Sequence, residues 1–336
     1  MIFAFDRSAK LFIVVLLISL ILAIQIKIVE IRSSQGLKVV VTFPFMVRDI
    51  ESLLCEDDEV RYLVPPGVDP HDYQLTYSDI EVLSKADLIV STAHTPFEIK
   101  IREMALSKVI KAKLIEVPSI PNITFLTIPN TNAINYHGVL FYGDNLAIFV
   151  KNITSILISL RSGCRDLYLS RLKATMDRIE KMPLKPLKDL KAIVDTPALQ
   201  YLASWLGAEV IQVVITEHNV PVTPRDINNV EENLRKYRGS IILMMTEDSS
   251  ARGLLEELAH KYGAKLLVVP NPITSTDSVL DYLENVYNMV RNLRSSSISS
   301  TATEHHGLAT GSELFIVVVL IIIIAIAIAV ILRVRR

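Results

Sequence analysis

No G-x-S-x-G and no H-E-x-x-H occurs in this chain, and no run of lysine and arginine marks its middle. The first absence argues against a nucleophile-elbow hydrolase. The second argues against a zinc hydrolase, since no general base stands beside a histidine motif to work with metal-activated water. The third, with a formal net charge of −1, leaves no surface suited to nucleic acid. Cysteine is scarce as well. Cys55 and Cys164 are compatible with one disulfide in an oxidising compartment, or with two buried thiols.

Apolar residues, by contrast, make up 50% of the 336 positions, and the excess sits at the two ends. Leu11–Ile24 is apolar except for Ser19 and follows Arg7 and Lys10, so residues 1–35 read as an export signal or a signal anchor. Phe315–Leu332 is an unbroken run of 18 apolar residues followed by Arg333, Arg335 and Arg336. As a helix it would span about 27 Å, close to the ~30 Å of a bilayer core, with the arginines on the cytoplasmic side. The expectation is a chain held in the cell membrane by 315–332, with 36–312 on the extracytoplasmic face. Ser, Thr and Gly dominate 294–312, which reads as a flexible stalk before a 313–336 anchor.

Between the ends, strand and helix patterns alternate. β-Branched runs fall at Leu37–Phe43, Val60–Val64, Leu88–Thr92 and Lys113–Val117, and again at Ala192–Asp195, Val210–Ile215, Ile241–Thr246 and Lys265–Val269. Helical spacing fills several of the gaps, and Arg165–Met182 forms one long amphipathic stretch without Gly or Pro. Alternation of this kind predicts an α/β fold with parallel sheets flanked by helices. Two series predict two lobes, 36–163 and 184–293, joined by one backbone helix over 164–183. Ligands of open α/β sheets bind beyond the carboxyl ends of the strands, so the cleft between the lobes is the place for one.

One loop carries the most information: Pro65-Pro66-Gly67-Val68-Asp69-Pro70-His71-Asp72-Tyr73. Its prolines and glycine fix a rigid turn that presents His71, and a neutral imidazole held in this way is a good metal ligand. With the V-V-V-T-F-P-F strand before it and S-D-I-E-V-L-S-K-A-D-L-I-V-S-T and T-P-F-E after it, the loop resembles the zinc- and manganese-type solute-binding proteins of ABC importers, the helical-backbone metal receptors. The similarity runs from about Leu37 to Leu293. It implies two α/β lobes on a rigid helix with a divalent metal ion, zinc or manganese, as transported ligand between them. It also implies a monomer that works with a membrane-embedded ABC permease and is not an enzyme.

Carried over position by position, the resemblance puts the first ligand at His71 and the second at His137, in Asn135-Tyr136-His137-Gly138. The third position, a His or Glu in the family, falls on Thr196, and Asp195 beside it either supplies a carboxylate or caps the following helix. The fourth, an Asp in the family, falls on Asn271, with Asp277 in the same loop as a substitute. Glu247 matches a family Glu near the cleft and reads as supporting the site or as structural. His94 and His218 follow strands and are candidates to line the cleft or lie on the surface. Two neutral imidazoles leave the ion's charge uncompensated, so a carboxylate should join them, Asp195 first and Asp277 second. The altered third and fourth positions also admit a receptor of the same fold for a metal chelate. Asn122-Ile123-Thr124 fits the N-glycosylation pattern and makes Asn122 a candidate acceptor.

Deleting 315–336 together with 1–35 is expected to release the remaining chain from membranes. Sedimentation of cell fractions checks this, and continued membrane association of the double truncation contradicts the proposed topology.

Overall fold

The computed structural model describes residues 15–21, 36–183, 185–216, 221–273 and 277–303. Residues 15–21 form a short exposed helix, α1, inside the apolar N-terminal stretch. Phe315–Leu332 and His218 lie outside the described residues. Among the described residues no helix is long and apolar enough to cross a membrane. Contacts divide the chain into two units, 1–288 and 289–336, and all strands belong to the first.

The first sheet contains β1 (Lys38–Val41), β2 (Glu59–Tyr62), β3 (Leu88–Ser91) and β4 (Lys113–Glu116), all parallel, in the order β2-β1-β3-β4. Every residue of β3 is buried, as expected of a central strand covered on both faces, whereas the edge strand β2 has no buried residue. Helices α2 (Val47–Glu51), α3 (Tyr77–Ser84) and α4 (Pro96–Leu106) belong to its connections. A small hairpin, β5 (Leu126–Thr127) with β6 (Ile134–Asn135), leads into α5 (Gly143–Leu160) and α6 (Arg165–Glu180).

The second sheet contains β7 (Lys191–Val194), β8 (Glu209–Val213), β9 (Ile241–Thr246) and β10 (Lys265–Val269), in the order β10-β9-β7-β8. Its helices are α7 (Pro197–Trp205), α8 (Pro224–Lys236), α9 (Arg252–Tyr262) and α10 (Val279–Thr303). Read from its own first strand, the second sheet has the connectivity of the first. All eight expected strands form, and the two lobes are present. One expectation needs correction: α10 continues to Thr303, so the first ten residues of the segment read as a stalk are helical. Adding residues to an existing helix costs far less than starting one, so weak Ser and Thr propensity does not stop it.

Helix α6 joins the lobes. Near its start the buried Tyr168 donates from its hydroxyl to Asp58 Oδ2 at 2.6 Å. The Asp58 carboxylate also accepts from the backbone N–H groups of Leu37 and Cys55 and from Arg161, so it ties the first sheet to the α5–α6 corner. A disulfide between Cys55 and Cys164 closes the same corner. Near the other end Arg178 pairs with Asp281 at 2.5 Å and with Glu284 at 2.7 Å on α10.

Asp49 makes a second link between the lobes. It is buried on α2 and accepts from the backbone N–H groups of Val279 at 2.6 Å and Leu280 at 3.1 Å, at the start of α10. The first N–H groups of a helix have no partner within it, and a carboxylate there also meets the positive end of the helix dipole. Asp49→Ala leaves two buried donors without an acceptor. It is expected to destabilise the protein by about 2–4 kcal/mol, read from the midpoint of urea unfolding.

Candidate metal centre

Three loops of the first lobe meet at the cleft. The loop after β2 is held by Tyr73, whose hydroxyl donates to Asp79 Oδ2 at 2.8 Å and to the Leu63 carbonyl at 3.2 Å. Within it, Asp69 Oδ1 accepts from the backbone N–H of His71 at 2.9 Å and from its ring Nδ1 at 3.1 Å. A carboxylate only accepts, so this bond places the proton on Nδ1 and leaves the Nε2 lone pair of His71 free.

The loop after β3 is organised by Glu98, which is fully buried in the first turn of α4. Its carboxylate accepts from Ser91 Oγ, Thr92 N and Oγ1, His94 N, and Thr95 N and Oγ1. Burial alone would raise its pKa, but nearby His94 and these hydrogen bonds outweigh it and hold the carboxyl below its ordinary range. Thr92 gives its hydroxyl proton to Glu98 and therefore accepts from His94 Nδ1, at 2.9 Å. The relay leaves Nε2 of His94 unprotonated. Burial, with a smaller contribution from His71, keeps the His94 pKa below normal despite Glu98.

The third loop follows β6. Asn135 is fully buried, and its Oδ1 accepts from the backbone N–H of His137 at 2.9 Å. Its Nδ2 reaches across to α7, donating to the Pro197 carbonyl at 2.8 Å and to Gln200 Oε1 at 2.9 Å. Tyr201, also on α7, donates to the Asn135 carbonyl at 2.6 Å. The position of His137 is thus set by a helix of the second lobe. Gly138 is needed beside it: its φ is +75°, and a Cβ there would lie 2.8 Å from Ala198 Cα. His137 Nδ1 is buried and has no hydrogen-bond partner. Burial first, then the neighbouring His94 and His71, lowers its pKa to about 4, so the ring is neutral at physiological pH.

One nitrogen from each of His71, His94 and His137 lies within 4.8 Å of the others. Zinc–nitrogen bonds of about 2.0–2.1 Å in a tetrahedral site separate ligand nitrogens by about 3.3 Å, so a shift of at most about 1.5 Å closes the set on one ion. His71, with 42% of its side chain exposed, has the most room to make that shift; His94 has 15%.

A family model described as ZnuA, zinc-uptake complex component A, periplasmic, matches residues 39–296. The chain belongs to this family. The manganese-binding lipoprotein MntA of Halalkalibacterium halodurans is 20% identical over 214 residues, covering 61% of this chain and 69% of that protein. The manganese ABC transporter substrate-binding lipoprotein PsaA of Streptococcus pneumoniae is 23% identical over 220 residues, covering 61% and 71%. Among solved structures, the periplasmic zinc binding protein TroA from Treponema pallidum superposes with a TM-score of 0.59 at 18% identity, covering 77% of this chain and 99% of that one. The SBP FpvC from Pseudomonas aeruginosa in complex with Mn2+ gives 0.62 at 19% identity, covering 79% and 100%. At these identities the structural likeness establishes the fold.

The remaining sequence candidates are placed differently from His71 and His137. Thr196 lines the cleft cavity at the start of α7 and makes no capping bond through its side chain. Asp195 does not line the cavity. It is fully buried, with Oδ2 accepting from Thr246 N and Oγ1 at 2.9 Å each, and burial raises its pKa. Thr246 at the end of β9 presents a backbone donor and a hydroxyl, and Asp195, directly after the neighbouring strand β7, accepts from both. Asn271 lines the cavity, but both ends of its amide are engaged, Oδ1 by Ile273 N at 3.0 Å and Nδ2 by Asp248 Oδ2 at 2.9 Å. Glu247 and Asp277 are exposed and do not line it. Asn122 is exposed in a loop with φ +68°.

The sequence reading gave no role to Glu98, Asp69 or Asn135. The Thr95-Pro96-Phe97-Glu98 capping pattern was available as a signal for the first of them. Thr92→Val keeps the shape of the side chain and removes the acceptor for His94 Nδ1. Zinc affinity is expected to fall about tenfold or more, measured by competition with a chromogenic chelator.

Proposed function

We propose that this protein captures a divalent metal ion on the extracytoplasmic face of the cell membrane and delivers it to an ABC permease. The observation that carries this reading is the convergence of His71, His94 and His137 at the cleft between two α/β lobes. Membership of a family described by zinc uptake, and relatives named as substrate-binding lipoproteins of manganese transporters, support it. Anchoring by 315–332, with lobes at 36–163 and 184–293 joined through 164–183, completes the proposed architecture.

The ligand chemistry favours zinc over manganese. Imidazole suits zinc, whereas manganese prefers carboxylate, carbonyl and water oxygens, and no carboxylate joins the three imidazoles among the described residues. A receptor also fits better than a metallohydrolase. Asp69 and Glu98, the acidic groups beside the imidazoles, hold His71 directly and His94 through Thr92, so neither is free to act as a general base on water.

Purified protein is expected to bind one zinc ion, with manganese much weaker. Single substitutions His71→Ala, His94→Ala and His137→Ala should each weaken zinc by about a hundredfold, as read by competition titration with circular dichroism to confirm folding. Unchanged zinc affinity in His71→Ala and His137→Ala would refute the assignment.

A further inference from the structure

The three imidazoles all come from the first lobe and occupy one side of the candidate centre. Zinc takes four ligands, and a site with three protein ligands keeps its fourth position for an exogenous donor. Among the described residues, the second lobe lines the cavity with Thr196, Thr216, Asn271 and otherwise apolar residues. None of these is charged. Asp69 orients His71 directly and Glu98 orients His94 through Thr92, and neither carboxylate belongs to the group of three imidazoles.

Size points the same way. The cavity measures about 300 Å³. A water molecule takes about 30 Å³, whereas small-molecule pockets begin near 300 Å³.

We infer that the site takes its metal together with a small polycarboxylate chelator, which completes the coordination sphere and fills the cavity against the second lobe. The carboxylate oxygens not bound to the metal accept from the Thr196 and Thr216 hydroxyls. This inference rests on the metal reading proposed above.

Cobalt(II) occupies sites of this ligand type and reports its coordination sphere by visible absorption, so the probes are Co2+ and citrate on the full-length protein. Co2+ alone should give a protein-dependent spectrum. Citrate should then change that spectrum saturably and co-elute with the protein at one per cobalt. Thr196→Glu puts a carboxylate on the second-lobe wall and should weaken the citrate response at least tenfold while cobalt still binds. A bound-cobalt spectrum indifferent to citrate overturns the inference and leaves the metal site standing. Removal of cobalt by citrate, with no ternary complex, does the same. Absence of any cobalt or zinc binding overturns the metal reading and this inference with it.

Discussion

Asn135 lies fully buried at the end of β6, between the lobes, and both ends of its side-chain amide have partners. Its Nδ2 bonds to α7 of the second lobe, its Oδ1 holds the backbone of His137, and its carbonyl accepts from Tyr201. A buried polar network satisfied in this way specifies one arrangement, because displacement strands an amide in a low-dielectric interior. The lobe interface and the position of an imidazole are therefore one structure. Gly138 makes the joint tighter, since any side chain there would run into Ala198. The lobes cannot separate at α7 without moving His137.

Around this joint the two sheets share one connectivity, and the carboxyl ends of their central strands flank the cleft. That is where a doubly wound sheet opens a crevice. In the first lobe, Phe43 follows β1, and Thr92 and His94 follow β3; all three line the cavity. In the second, Thr196 after β7 reaches the cavity, while Asp195 turns back into the sheet to hold Thr246. The same geometry thus carries imidazole on one side and hydroxyl on the other. The difference in chemistry comes from which residues the strands end in and not from the fold.

Much of this was readable from the sequence. Strands of a buried parallel sheet are short β-branched runs, so all eight were visible, and the rigid proline loop made His71 stand out. His94 was visible only as a histidine after a strand. What orients its ring is the Glu98–Thr92 relay, and the T-P-F-E pattern fixes a helix start without saying which neighbour the carboxylate will serve. Asp195 illustrates the opposite limit. Its sequence position suits a ligand equally well, but the competing donors belong to Thr246, 51 residues away, and no local pattern reveals them. The α7 partners of Asn135 lie 62 to 66 positions away, and they are equally invisible before the chain is folded.

The same contacts restrict how the protein can load and release. Wide hinge opening would break the Asn135 network, the Asp49 bonds to α10, and the Arg178 pairs that fasten α6 to α10. A 16-residue helix, about 24 Å long, with bonds near both ends behaves as a strut. Motion at the site then falls to the loops, and the three loops that carry the histidines are not equally held. His94 is fixed through a buried carboxylate and His137 through the lobe interface. His71 is half-exposed, on a loop whose hold on its ring is one bond to Asp69. Of the three imidazoles, His71 is the one that can move without disturbing either lobe.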